Sequence, residues 1–190
     1  MRIITGRAKG LKLKTPPGNF TRPTGDRVKE SLFGILSGLI DFSEVETVAD
    51  IFAGTGALGL ESVSRGAKSA IFIDTATTNL ISENIRRARF ESECKIFRGD
   101  FEQVLKKFSR NGKTFDLIFS DPPYHKGLAE KSLRLVAELN LLSGSGLMVV
   151  EHGADEFFDD LPENFFTVRK ISYGKTTGVD IFGLKKENEK

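Results

Sequence analysis

The residues best suited to chemistry lie at the end of a predicted strand. The mostly apolar segment Phe115–Ser120 leads into Asp121-Pro122-Pro123-Tyr124. Each proline lacks a backbone N–H, fixes its own φ and disfavours the α region for the residue before it, so the strand ends there. The sequence thus predicts a stiff corner that presents a carboxylate, a main-chain carbonyl and an aromatic face. These groups could grip a planar exocyclic amine, although an ordinary proline turn would have the same sequence.

A glycine-rich turn forms a second candidate site. The segment Gly54-Thr55-Gly56-Ala57-Leu58-Gly59 follows a buried-type strand, Thr47–Ala53, and opens a helix. Glycines at such a junction permit a tight turn and let the main chain lie against a ligand. Asp74 ends the next predicted strand, where a carboxylate can accept hydrogen bonds from both hydroxyls of a ribose. The combination predicts a nucleoside-binding site.

The residues around this turn distinguish two nucleoside cofactors. NAD would place a pyrophosphate at the helix N-terminus, whereas S-adenosylmethionine (SAM) carries an α-amino group and a positive sulfonium. Asp50, just before the turn, offers a carboxylate to an ammonium, while Asp100 and Phe101 follow the third strand and could contact adenine. These residues all follow strands, and ligands bind at the carboxyl ends of parallel strands. Because the residues there suit an ammonium and an adenine and not a pyrophosphate, the pattern favours SAM over NAD. Each of these residues could instead cap a helix or lie in the core.

The elements that must position these groups alternate between strand and helix. Five strands separated by helices are predicted from residue 47 to Glu151, followed by two β segments, Phe165–Tyr173 and Val179–Lys185, that form a hairpin. Alternation of this kind predicts a parallel sheet covered by helices on both faces. The intervening segment Asp155–Pro162 could hold a short helix.

The first 24 residues are predicted to form a basic arm, extended and turning near Gly6–Gly10. Eight basic residues between Met1 and Lys29 face a single acid, Asp26. Basic charge concentrated on a body of net charge +2 suggests an anionic partner, nucleic acid first, although a solvated tail would look the same. After the arm, Thr24 is the predicted cap of a helix whose apolar stripe runs on to Leu39 and Ile40.

Composition narrows the class of protein. A chain of 190 residues with 39% hydrophobic and 28% charged residues suits one globular domain, predicted over 25–186 with a polar tail at 187–190. The single Cys94 excludes an internal disulfide, and with two histidines the case for a metal site is weak. No apolar run approaches a membrane span and no signal peptide is evident, so we expect a cytoplasmic protein.

Taken together, these motifs resemble the class I SAM-dependent methyltransferases, and within them the RsmD family of 16S rRNA guanine-N2 methyltransferases. The resemblance covers nearly the whole chain. One departure is Asp74 with the threonine-rich segment after it, where the family more often has Glu followed by charged residues. The segments that carry the resemblance are Ile4-Thr5-Gly6-Arg7 with Lys9-Gly10, Arg22-Pro23-Thr24 with Asp26-Arg27-Val28-Lys29-Glu30, Asp50 with Phe52-Ala53-Gly54-Thr55-Gly56, Asp121-Pro122-Pro123-Tyr124, and Tyr173-Gly174.

The resemblance implies a Rossmann-like, seven-stranded and mostly parallel sheet with an antiparallel last strand, helices on both faces and a small N-terminal β-arm. It also implies SAM as methyl donor, S-adenosylhomocysteine as product, and 16S rRNA of the small subunit or its assembly intermediate as partner. Apart from the resemblance, we expect no metal and a monomer. The expected catalytic residues are Asp121, Pro122, Pro123 and Tyr124. The expected cofactor-binding residues are Thr24, Asp50, Phe52, Gly54, Gly56, Asp74, Gly99, Asp100 and Phe101. The expected RNA-binding residues are Arg2, Arg7, Lys9, Lys12, Arg22 and Arg27.

Three other functions stay open at this point. An N6-adenine methyltransferase acting on RNA or DNA could use the same corner, because an adenine amine would meet the same groups. The chain has no room for a separate target-recognition domain, which counts against a sequence-specific DNA enzyme. Outside methyl transfer, the alternatives are an NAD-dependent oxidoreductase and a non-catalytic assembly factor that binds rRNA.

Overall fold

Two compact units, Met1–Gly99 and Asp100–Lys190, make up the chain in the computed structural model. The structure describes residues 1–16, 24–158 and 160–185. The elements of the first unit are α1 (Thr24–Leu36), a 3₁₀ turn (Phe42–Glu44), β1 (Thr47–Ile51), α2 (Ala57–Arg65), β2 (Ser69–Asp74), α3 (Thr78–Ala88) and β3 (Cys94–Arg98). The elements of the second unit are α4 (Phe101–Arg110), β4 (Phe115–Ser120), α5 (Leu128–Glu138), β5 (Leu142–Gly153), β6 (Phe165–Tyr173) and β7 (Thr177–Leu184).

The strands form a seven-stranded, mostly parallel sheet. In the first unit β2 lies between β1 and β3 and is parallel to both. In the second unit β4 and β5 are parallel, whereas β7 lies between β5 and β6 and is antiparallel to both. The last strand of the chain is therefore the antiparallel one, and the predicted fold class is confirmed.

Burial in each unit follows from the apolar pattern of its elements. The segments Val48–Ile51 and Ala70–Ile73 are buried without interruption, as expected of parallel strands covered on both faces. On α3 the apolar residues Ile81, Ile85 and Ala88, spaced three or four apart, are buried. These packed elements fix the strand ends in each unit, and the candidate residues lie at those ends.

The N-terminal arm is an integral part of the first unit. Arg2 and Lys12 form an antiparallel bridge, and Gly6 and Gly10 have positive φ of 87° and 84°, so the predicted turn is confirmed. Ile3 is fully buried. A Cβ added to Gly6 would lie 1.7 Å from a backbone carbonyl oxygen of α2, so only glycine fits where the arm crosses that helix.

A buried glutamate in α2 anchors the arm. The Glu61 carboxylate accepts from the backbone N–H groups of Ile4 at 2.7 Å and Thr5 at 3.0 Å, and from Arg65 Nε at 2.9 Å. Lys29 Nζ lies 3.3 Å from the same carboxylate. Burial lowers the pKa of Lys29, and the neighbouring Glu61 opposes that effect. Because the carboxylate has partners from the arm, α1 and α2, it links all three segments.

Two expectations about local structure are wrong. Helix α1 ends at Leu36, and the side chain of Leu39 is 39% exposed, because Gly38 favours helix termination over another turn. No helix forms in the described part of Asp155–Pro162. There the backbone N–H of Gly153 donates to Glu156 Oε2 at 2.8 Å, a side-chain bond that competes with helix formation.

Candidate active site

The turn after β1 is shaped by three residues with left-handed backbone. Phe52, Gly54 and Gly56 have φ of 61°, 56° and 76°. The N–H of Gly56 donates to the carbonyl of Ala53 at 2.7 Å and closes the turn, after which α2 begins at Ala57. Glycine adopts this conformation without steric cost, but for Phe52 it costs about 1–3 kcal/mol. A conformation of this kind is characteristic of a ligand-binding segment.

Asp74 at the end of β2 is held by main-chain donors. Its Oδ2 accepts from Gly54 N–H at 3.0 Å, and its Oδ1 accepts from Ala76 at 2.8 Å and Thr77 at 2.9 Å. Burial alone would raise the pKa of Asp74, but these N–H donors outweigh it and lower the pKa. A carboxylate has roughly four acceptor sites, so about one is left for a ligand hydroxyl.

Asp50 lies inside the unit, beneath the turn. Its side chain is buried, and Oδ2 accepts from the N–H of Gly59 at 2.9 Å, which ties α2 to β1. Burial raises the pKa of Asp50 to about 7, only partly offset by that N–H. A Cβ on Gly59 would lie 2.5 Å from Phe72 Cε1, so α2 approaches β2 as closely as glycine permits. Contact between Asp50 and an ammonium stays a prediction.

The residues after β3 fall in both units. The N–H of Gly99, the last residue of the first unit, donates to the carbonyl of Asp74 at 3.2 Å. In the second unit, Asp100 caps α4, its Oδ1 accepting from Glu102 N–H at 3.0 Å, and Phe101 is buried. Both therefore have a structural role, and their predicted contact with adenine stays a prediction. Thr24 begins α1, and its side chain lies outside what the structure describes.

The proline corner follows β4 as predicted, since the strand ends at Ser120. Pro122 is buried and anchors the segment, whereas Asp121 and Pro123 are exposed and Tyr124 is half-buried. The chain then turns through His125, with φ of 59°, before α5. The second unit thus presents the Asp121 carboxylate at its surface beside a partly covered aromatic ring.

The hydroxyl of Tyr124 is held by two strands of the second unit. It donates to Glu151 Oε1 on β5 and lies 3.3 Å from Thr177 Oγ1 on β7. Burial, and then the hydrogen bond to Glu151, raises the pKa of Tyr124 well above its ordinary value. Neither Glu151 nor Thr177 was predicted as a site residue, although Glu151 stands near the carboxyl end of a strand, where ligand contacts concentrate.

The predicted RNA-binding cations lie on the surface wherever the structure describes them. Arg2, Lys9, Lys12 and Arg27 are exposed. Arg7 is exposed too, but Nη2 pairs with a glutamate oxygen at 2.9 Å and the guanidinium lies 4.8 Å from the centre of a phenylalanine ring on the same unit. Arg7 is therefore already engaged within the unit. Arg22 lies outside the described residues.

Residues 1–16, 24–158 and 160–185 contain neither a candidate metal site nor a candidate membrane span. No group of His, Cys, Asp and Glu side chains there could hold a metal ion. None of the described helices has the length and apolar character needed to cross a membrane. Cys94 begins β3, and burial raises the pKa of its thiol to about 12, so it is a poor nucleophile.

Known proteins that are similar to this chain carry methyltransferase names. The model of a family described as "Conserved hypothetical protein 95" matches residues 1–180. "Ribosomal RNA small subunit methyltransferase D" of Haemophilus influenzae is 37% identical over 187 residues, covering 97% of this chain and 92% of that protein. The protein of the same name from Escherichia coli K12 is 32% identical over 177 residues, covering 92% and 86%. Among solved structures, yhhF of Escherichia coli, named as a methyltransferase, matches with a TM-score of 0.83 at 29% identity, covering 97% of this chain and 98% of that one.

Proposed function

We propose, because the chain belongs to the RsmD family of methyltransferases, that it transfers a methyl group from SAM to the exocyclic N2 amine of a guanine in 16S rRNA. The observation that carries the proposal is the corner at the end of β4, where an exposed carboxylate precedes two prolines and a held aromatic ring. The names of the relatives support rRNA as the substrate class. The choice of guanine N2 rests on the resemblance.

The first unit supplies the groups proposed to hold SAM. Gly54 and Gly56 leave the main chain open to the ligand, and Asp74 is proposed to accept from a ribose hydroxyl. Because hydrogen bonds lower its pKa, Asp74 is ionised at neutral pH and is a strong acceptor. SAM, when bound, supplies a methyl group activated by the positive sulfonium.

The second unit supplies the groups proposed to hold the acceptor. Guanine N2 is a poor nucleophile, since its lone pair is delocalised into the ring. The Asp121 carboxylate and the Pro122 carbonyl would accept the two N2 hydrogens and turn the lone pair out of conjugation. Tyr124 would stack on the base once it is extruded from its helix. As N2 gains the methyl carbon it loses one proton, which passes to Asp121 or to water.

The exposed cations of the arm are proposed to contact rRNA phosphates in a small subunit or its assembly intermediate. Such contacts add salt-dependent affinity without base selection. Because Ile3 is buried and Glu61 binds the arm backbone, deleting the arm would also damage the fold. The charge alone should therefore be removed. We also propose that the protein is a monomer and that it acts in the cytoplasm.

A paired substitution tests this role. We expect Lys9→Ala with Lys12→Ala to leave the thermal midpoint unchanged and to lower the slope of log affinity against log salt by up to about 2, roughly one per phosphate contact. The measurement is rRNA binding across a salt titration. Lys68→Ala, an exposed lysine outside the arm, is the matched control and should leave the slope unchanged. An unaltered slope in the double variant would refute the phosphate role.

The deciding experiment is methylation of small subunits purified from a strain that lacks this protein. With isotopically labelled SAM, we expect label in N2-methylguanosine after nuclease digestion and mass spectrometry. Label in N6-methyladenosine would transfer the function to the adenine alternative. No label, together with binding of the subunit, would indicate an assembly factor, and preferential binding of NADH over SAM would indicate an oxidoreductase.

A further inference from the structure

Tyr124 is tethered at its far end by residues that the proposed chemistry does not use. The hydroxyl donates to Glu151 Oε1 and lies 3.3 Å from Thr177 Oγ1. Pro122, two residues earlier, is buried. The ring is thus held at its hydroxyl end, unlike a surface tyrosine that is free to change rotamer.

The register of the second unit explains how two strands reach one hydroxyl. In the antiparallel pair of β5 and β7, Glu151 lies opposite Val179 and Gly153 lies opposite Thr177. Alternate residues of a strand share a face, so Glu151 and Thr177 are diagonal neighbours on the same face of the sheet. A hydroxyl between them contacts both side chains.

We propose that Glu151 is a positioning residue that, with Thr177, fixes the Tyr124 ring in the orientation that stacks on the acceptor base. The proposal rests on the proposed function for the identity of that base. A phenol-to-carboxylate bond is charge-assisted, so it holds the ring more firmly than a bond between neutral groups would. Both anchors lie on paired strands, and this gives the ring a rigid support.

The alternative role for Glu151 is chemical, as the group that accepts a proton. Burial and Glu151 together raise the pKa of Tyr124, so the phenol stays protonated near neutral pH and can donate to Glu151. A positioning role requires an acceptor oxygen and not a charge. Glutamine keeps the oxygen and loses the charge, whereas leucine loses both, and this difference separates the two roles.

The tether can be observed without any acceptor. The chain has two tyrosines and no tryptophan, so Tyr173→Phe leaves Tyr124 as the only absorbing phenol. In that protein we expect little phenolate absorbance at pH 11, where an ordinary tyrosine with a pKa of about 10 is mostly ionised. Adding Glu151→Gln should lower the titration midpoint by roughly one pH unit or more. Glu163→Gln, an exposed glutamate of the same unit, is the matched control and should not shift it.

Kinetics test the positioning role itself. With small subunits as substrate, we expect Tyr124→Phe and Glu151→Leu each to lower kcat roughly tenfold, about the size of one charge-assisted hydrogen bond. The double variant should be no worse than either single variant, and the dissociation constant for SAM should stay within about twofold. Glu151→Gln, which keeps a neutral acceptor oxygen, should lose clearly less turnover than Glu151→Leu. Thr177→Val, with a smaller loss, serves if Glu151→Leu fails to fold.

Three results would overturn the proposal: a Tyr124 midpoint that Glu151→Gln leaves unchanged, full turnover in Tyr124→Phe, or equal losses in the glutamine and leucine variants. The last would make the charge of Glu151 the functional property. If the wild-type chain methylates neither rRNA nor small subunits, the proposed function fails separately. The optical titration then decides alone whether the tether exists.

Discussion

The cofactor cradle, formed by Phe52–Gly56 and Asp74, and the corner formed by Asp121–Tyr124 hold their functional groups by opposite means. In the cradle, Asp74 is gripped by three backbone N–H groups, and glycines set the shape of the turn. In the corner, Tyr124 is gripped by the side chains of Glu151 and Thr177, and prolines set the shape. A site held by main chain should be sensitive to substitutions that crowd the backbone. A site held by side chains should be sensitive to the loss of a single functional group.

The largest contrast is expected in the corner. We predict that Asp121→Ala or Tyr124→Ala lowers turnover roughly a hundredfold or more, the usual cost of losing a group that acts in the transition state. The affinity for SAM, measured by calorimetry, should stay within a few-fold of wild type. Asp160→Ala, at another exposed carboxylate of the second unit, should leave both unchanged. Near-normal turnover in either corner variant would remove this segment from the reaction.

The cradle should show the opposite division. Asp74→Ala removes an ionised acceptor, so we expect the dissociation constant for SAM to rise about 10- to 100-fold, as for one charged hydrogen bond. The kcat at saturating SAM should change by only a few-fold, since no reacting atom is touched. Equilibrium binding and initial rates distinguish the two quantities. A collapse of kcat with unchanged affinity would contradict the division between cradle and corner.

A smaller effect tests how far the stability of the first unit depends on the close approach of α2 to β2. A Cβ at Gly59 would lie 2.5 Å from Phe72 Cε1, and we expect Gly59→Ala to cost about 1–3 kcal/mol of unfolding free energy. In the same unit, Gly34 is helical with open space around its Cβ position, so Gly34→Ala should stabilise by about 0.5–1 kcal/mol. Urea unfolding measures both. If the two variants behave alike, the close approach of α2 to β2 has no energetic consequence.

A last effect, on stability alone, is a dependence of the unfolding free energy on pH. In the folded chain the pKa of Asp50 is raised to about 7 from 3.8, so the folded state binds an extra proton between about pH 4 and 7. Stability therefore falls as pH rises through that range, by at most about 1.4 kcal/mol per pH unit from this group. Asp50→Asn keeps an acceptor for Gly59 and should remove this slope in urea unfolding at pH 5, 6 and 7. Parallel curves for wild type and variant would contradict the raised pKa.

Most strand positions could be predicted because local signals determine them. Alternation of apolar strands with helical stripes placed β4 and β6 at their observed bounds, and the prolines and glycines marked the turns. The predictions for β1 and β7 were off by one or two residues, since β1 ends at Ile51 and β7 spans Thr177–Leu184. The Asp-Pro-Pro-Tyr corner and the Asp74 position followed from the same signals. These are properties of neighbouring residues, which a sequence records directly.

The partners of the candidate residues could not be predicted, because they are distant in sequence. Tyr124 meets Glu151 across 27 positions and Thr177 across 53 positions. In the arm, the many cations predict an exposed segment, yet Ile3 and Leu13 among them are buried. An isolated polar residue gives no local sign of which distant group it will bind.

The hydrogen bonds between Glu61 and the arm have a consequence for folding during synthesis. Ile4 leaves the ribosome first, yet the carboxylate that binds its backbone is synthesised 57 positions later. Chain closure over this distance must precede the bond, so the arm cannot be fixed before α2 has been synthesised. Until α2 is complete, the apolar residues of the nascent arm are exposed and its basic side chains have no fixed position. During synthesis the arm of the first unit therefore stays unattached until α2 has formed.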